Sequence, residues 1–233
     1  MRQGSSCSEQ VCFDLLNQFE HILESDPLID EVGFIHPSQF MVLDKEAGSS
    51  TSTSFWNQDH KLGISTDILI QLCKDAKHAF LSAFKEYKSH VGVCCSLASK
   101  VMKHSQALLL LSSDFGTAWN ARKLILSKQD QPLEAFTEEL CLSRLVLSNC
   151  PKSEPTWSHR RWILKMISRS FSSPQLQEII NKESELVESI GEVYRSVLCF
   201  IYNEEIKDEL SCMVSPLLVG FLHDNRAGTT RVA

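Results

Sequence analysis

No two of the nine cysteines in this 233-residue chain form a C-x-x-C pair, and no histidine stands at zinc-finger spacing from them. A zinc ribbon or finger is therefore excluded. The thiols (positions 7, 12, 73, 94, 95, 141, 150, 199 and 212) are odd in number, and several fall among apolar residues on helical patterns. That placement predicts reduced, buried cysteines rather than a disulfide framework. Long apolar runs are missing as well. "SVLCFIY" and "CMVSPLLVGFL" are far shorter than the ~20 residues that cross a bilayer, and "MRQGSSCSEQ" has no signal-peptide core. The expectation is a soluble cytoplasmic protein with no membrane insertion. Basic charge is scarce: 23 Lys and Arg against 29 Asp and Glu leave a net charge of -6. A nucleic-acid partner needs the opposite surplus to meet its phosphates. No glycine-rich phosphate loop and no nucleophile–base motif occur, so nothing supports a self-contained enzyme built on Cys94, Cys95 or a histidine.

What the chain does have is helical periodicity. From Val11 to Glu24, apolar residues at Cys12, Leu15, Leu16, Phe19, Ile22 and Leu23 form one stripe, which Asp26-Pro27 stops. "EVGFIHPSQFMVLD" fits a short hairpin or an irregular packed loop, and the small polar run Asp44 to Ser54 predicts a flexible loop. A strong helix is expected from about Thr66 to Tyr87, since Ile68, Leu72, Ala76, Phe80 and Phe84 recur every fourth residue. Another follows from about Leu97 to Leu111. Beyond it, helices alternate with short breaks at Asp114–Gly116, "CPKSEP" and "SSP", where Ser173 suits an N-cap and Pro174 a first helical position. No sustained two-residue alternation follows residue 60, so the fold class expected is all-α.

Two of the restarts are copies of one another. "TAWNARKLIL" and "PTWSHRRWIL" align without a gap, pairing Trp119 with Trp157, Arg122 with Arg160, Lys123 with Arg161 and Leu126 with Leu164. The period, 157 − 119, is 38 residues, within the range of helical-hairpin repeats. Two helices cannot bury their apolar faces alone, so successive units stack into an α-α superhelix. Trp fills the gap between layers. Arg three residues later lies on nearly the same face, where it can stack on a ring or grip a carboxylate or carbonyl. The tetratricopeptide order of Trp, Leu-Gly and Tyr is not followed.

A polar break, then W-x-x-R-(R/K)-x-x-L at the head of a second helix, resembles the protein prenyltransferase α-subunit repeat. "NCPKSEPTWSHRRWIL" is similar to that family's fuller form, Pro-Lys-Asn/Ser-Tyr-x-x-Trp-x-His-Arg-Arg, and leans toward the Rab geranylgeranyltransferase branch rather than the farnesyl one. The resemblance covers about Leu97 to Ile190. It implies a solenoid of helical hairpins wrapped around a separate β-subunit, which would carry the zinc and the prenyl diphosphate; this chain would bind no cofactor itself. It further implies a protein substrate with a C-terminal cysteine, and a diphosphate contact at Lys152. Trp119, Arg122, Trp157, His159, Arg160 and Arg161 become structural or partner-interface positions of the repeat.

The sequence departs from the family in two places. Glu154 replaces the tyrosine two positions after Lys152, and as a carboxylate it would repel diphosphate. No third Trp-x-x-Arg follows "ELVESI", so the array is expected to stop after about two and a half repeats and end in a divergent tail. In that tail Leu198, Phe200, Ile201, Leu217, Leu218 and Phe221 would either cover the last layer or remain sticky. The organisation expected is residues 1–60 as an N-terminal helix with an irregular loop, 61–190 as repeats and 191–233 as the tail. Two functions follow: an α-type subunit of a heterodimeric prenyltransferase, inactive alone and favouring geranylgeranyl, or a non-catalytic adaptor or inactive shortened form that keeps the fold.

Overall fold

A computed structural model describes residues 6–40, 54–90, 94–128, 132–170 and 173–194. All but the last residue of the expected flexible loop Asp44–Ser54 lies outside the described residues. So does the tail beyond Tyr194, with the six apolar residues assigned to it. The chain divides into two compact units, Met1–Thr156 and Trp157–Ala233.

The first unit opens with α1 (Ser6–Ser25), which buries Leu16 and Phe19. It ends as expected before Pro27, where the Asp26 side chain accepts the Leu28 N–H at 3.2 Å and turns the chain. The next stretch is neither a hairpin nor an irregular loop. β1 (Glu31–Ile35) pairs in parallel with β3 (Lys61–Ser65), and β2 (Phe55–Gln58) pairs antiparallel with β3, giving the order β1-β3-β2. Each strand has only four or five residues, too few for alternation to stand out from a helical background. The central strand buries Leu62, Gly63, Ile64 and Ser65.

Gly63 sits at a close approach to the Ile35 side chain. A Cβ there would lie 2.1 Å from Ile35 Cδ1 and 3.1 Å from Ile35 Cγ1. Gly63→Ala is expected to destabilise the fold by about 1–3 kcal/mol through overpacking. In an Ile35→Ala background the same change should cost much less, a coupling that a double-mutant cycle in urea will measure.

Helices build the rest. α2 (Leu69–Ser89) buries Leu72, Ala76, Phe80, Ala83 and Tyr87, the stripe its four-residue period predicts. α3 (Cys95–Leu111) packs on α2 and α1, and α4 (Gly116–Leu126) packs on α3. α5 (Leu133–Asn149) lies against α3 and β1, where the Val32 N–H donates to Ser148 Oγ at 3.4 Å. α1 is tied to α3 through Glu20, a buried carboxylate 2.6 Å from His104 Nδ1. Lys103 Nζ lies 2.8 Å from Glu24, and that hydrogen bond raises the Lys103 pKa above its ordinary value.

α6 (Glu154–Ser170) runs from the first unit into the second, and α7 (Ser173–Tyr194) follows it. Buried residues recur along both: Ile163, Leu164 and Ile167 on α6, then Ile179, Leu186, Val187 and Ile190 on α7. The described free thiols are less buried than their apolar neighbours led us to expect. Cys73, Cys94 and Cys150 are half-buried, and Cys95 and Cys141 are exposed; Cys94 and Cys150 are the end caps of α3 and α5 rather than positions on a buried stripe. Among the described residues the architecture is mostly helical, with the small sheet confined to the N-terminal region.

Candidate functional site

The repeated motif occupies the same place in both units. Trp119 is the fourth residue of α4 and Trp157 the fourth residue of α6, and each is 2% exposed. The Trp119 indole N–H donates to the Ser113 carbonyl at 2.9 Å, closing the turn that precedes its helix.

The two arginines grip carboxylates. Arg122 Nε donates to both Glu139 oxygens at 3.0 Å, its Nη2 also reaches Oε1, and Nη1 donates to the Met102 carbonyl at 2.7 Å and to Ser105 Oγ at 2.8 Å. One side chain thus joins α4 to α5 and α3. In the second unit Arg160 Nε donates to Glu183 Oε2 at 2.6 Å, and Nη2 reaches Oε1, joining α6 to α7. All four charged groups are buried. A planar guanidinium meeting a carboxylate through two parallel N–H bonds is the strongest geometry such a pair adopts. His159 is fully buried, with its ring 5.9 Å from that of Trp162.

Of the two roles expected for Trp119, Arg122, Trp157, His159 and Arg160, their burial supports the structural one. These side chains lie inside the fold and hold the repeat together, because an aromatic or charged group under the surface has no access to a partner. Arg161 is half-buried on α6. The residues that sequence reasoning missed are the acids Glu139 and Glu183. They follow their arginines by 17 and 23 positions, so no fixed offset marks them.

Lys152 stands exposed in the turn between α5 and α6. The Ser153 N–H donates to the Cys150 carbonyl at 3.1 Å. Thr156 Oγ1 donates to Ser153 Oγ at 2.8 Å, and Ser153 Oγ donates to Asp114 Oδ1 at 3.0 Å. Asp114 belongs to the turn one period earlier, so the two breaks of the repeat touch. Glu154, also exposed, opens α6, where a carboxylate is favoured by the helix dipole. The turn that carries Lys152 therefore has the Asp114 carboxylate bonded to Ser153 and Glu154 at the head of the next helix. Among the described residues no group of three or more His, Cys, Asp or Glu side chains could hold a metal ion. Among the same residues, no helix is long and apolar enough to cross a membrane.

Residues 136–167, from the first turn of α5 through the Lys152 turn to the last turn of α6, match the protein prenyltransferase alpha subunit repeat. Among individual proteins, the chain is 48% identical over 68 residues to protein prenyltransferase alpha subunit repeat-containing protein 1 of Homo sapiens, covering 29% of this chain and 16% of that protein. The Danio rerio protein of the same name is 44% identical over 75 residues, 32% of this chain and 17% of its own. Form 1-A of Xenopus laevis is 38% identical over 96 residues, 40% of this chain and 21% of its own. Each match therefore spans about a fifth or less of the relative's length.

Proposed function

We propose that this chain acts as the α-type, scaffolding subunit of a heterodimeric protein prenyltransferase. It would support transfer of an isoprenoid, geranylgeranyl in preference to farnesyl, to a C-terminal cysteine of a protein substrate. The observation that carries this reading is Lys152, exposed at the turn of the very segment that matches the repeat. A zinc held by the β-subunit would supply the activated thiolate. When the substrate cysteine's thiolate attacks the prenyl carbon, the C–S bond forms as the C–O bond to diphosphate breaks; negative charge builds on the departing diphosphate, and an ammonium fixed beside it stabilises that charge. The turn's hydroxyl relay to Asp114 holds the backbone of that lysine in place. We place the protein in the cytoplasm, in keeping with its described free thiols.

The test is co-purification with a prenyltransferase β-subunit, then labelled geranylgeranyl transfer to a substrate ending in cysteine. Lys152→Ala is expected to lower turnover by roughly 10-fold or more while leaving affinity for the β-subunit unchanged. A second reading, a non-catalytic helical-repeat adaptor, is favoured by Glu154 and Asp114, whose carboxylates flank the lysine's turn. A stable pair without turnover, or turnover indifferent to Lys152→Ala, selects the adaptor.

A further inference from the structure

α2 carries a second stripe that the fold does not bury. Ile70, Lys74, Lys77, Leu81, Lys85 and Lys88 recur at steps of four, three, four, four and three residues. From first to last they span 88 − 70, or 18, residues. At about 3.6 residues per turn this is five turns, so all six lie along one side of the helix. Each is exposed, Ile70 at 72% and Leu81 at 42%. The carboxylates of α2, Asp75 and Glu86, stand two residues before and nine after Lys77, which turns them about 160–180° away. Charge is therefore sorted by side on this helix.

None of the four lysines makes an ion pair among the described residues, whereas Lys61, Lys103 and Lys182 each have a carboxylate within 2.8 Å. Two of the four are instead laid on rings. Lys77 Nζ is 5.2 Å from the Phe115 centroid, and Lys88 Nζ is 4.7 Å from that of Phe84. Lys128, just past α4, likewise lies 4.6 Å from the Tyr87 ring. Cation–π contact fixes each ammonium against the surface, which reduces the ordering that a binding partner must impose. An unbalanced row of cations around exposed Ile70 and Leu81 is out of keeping with a chain whose net charge is -6.

We propose that this side of α2 docks an acidic amphipathic helix of a partner protein. Carboxylates spaced three and four residues apart on that helix meet the lysine row, and its apolar side covers Ile70 and Leu81. An anionic bilayer fits less well: two exposed apolar side chains do not make the continuous apolar face that interfacial helices insert, and the net negative charge opposes approach. The surface belongs wholly to the first unit and involves neither Lys152 nor its turn, so it does not rest on the prenyltransferase reading.

The experiment titrates the full chain into a fluorescent synthetic helix of matching length, glutamate along one side and leucine along the other, followed by anisotropy. Saturable binding that weakens with salt is expected. The triple change Lys77→Glu, Lys85→Glu, Lys88→Glu should weaken it by at least about 10-fold, with circular dichroism unchanged. Lys100→Glu, exposed on α3 outside the stripe, should change it less than about 2-fold. The proposal is overturned if no saturable binding occurs or if the triple variant binds like the wild type. It is also overturned if phosphatidylserine vesicles compete the chain away from the helix, or if the triple change acts by abolishing self-association of the chain.

Discussion

Arg122→Ala should remove about 3–5 kcal/mol of stability, the range found when one partner of a buried ion pair is deleted. Arg122 is 5% exposed and Glu139 1%, so the truncation leaves a carboxylate under the surface with its principal cation gone. Water cannot re-solvate that charge without opening the contact between α4 and α5. Domains of ordinary stability hold about 5–15 kcal/mol in all, so the loss is a large part of the total and will show as a clear fall in the urea midpoint. Arg122→Lys should recover little, because a single ammonium cannot donate along both the Glu139 and Met102 directions at once. The pair Arg122→Met with Glu139→Leu should recover most of the loss, since removing both charges leaves none stranded. The Met102 carbonyl would still accept from Ser105 Oγ, 3.0 Å away. A single mutant within about 1 kcal/mol of wild type would show the pair to be incidental. So would a double mutant as unstable as the sum of its parts.

This clamp also marks where sequence reasoning reached and where it stopped. The placement of Trp119, Arg122, Trp157 and Arg160 was legible because those residues repeat at a fixed period, and a repeated layer must put like residues in like environments. Their acceptors were not legible. Glu139 and Glu183 sit on the following helices at unequal distances along the chain, and a glutamate on a helix is ordinarily a solvated residue. Only packing reveals which one points inward. The sheet was hidden for a different reason. β1 and β3 pair in parallel across 30 residues of sequence, Glu31 with Lys61, and nothing local to either strand records that meeting. The turn at Lys152 falls between these cases. The Pro-Lys-Ser spacing located it, but the bond from Ser153 to Asp114 joins two breaks 39 residues apart, and this puts a carboxylate where the repeat alone suggested only a cation.

Trp119→Ala is expected to be as damaging as the loss of the clamp, at about 3–5 kcal/mol, for a reason of volume rather than charge. The ring is 2% exposed and belongs to the same core cluster as Val101, Leu108 and Val146, side chains from α3 and α5. Removing it opens a cavity that those fixed backbones can only partly close. Its N–H also leaves the Ser113 carbonyl, which caps the turn into α4. Trp119→Phe separates the two effects: most of the volume stays and the hydrogen bond goes, so a loss of about 1–2 kcal/mol is expected. The comparison with Trp157→Ala then bears on the repeat itself. Trp157 is equally buried at the equivalent place of α6, and if both rings seat equivalent layers the two alanine variants should agree within about 1 kcal/mol. A Trp157 variant that loses far less would mean that the resemblance of the motifs is not matched by their packing. Either tryptophan variant should weaken the proposed β-subunit binding in proportion to the unfolded fraction, whereas Lys152→Ala should leave the denaturation curve in place. That contrast separates the residues that make the scaffold from the one proposed to serve its chemistry.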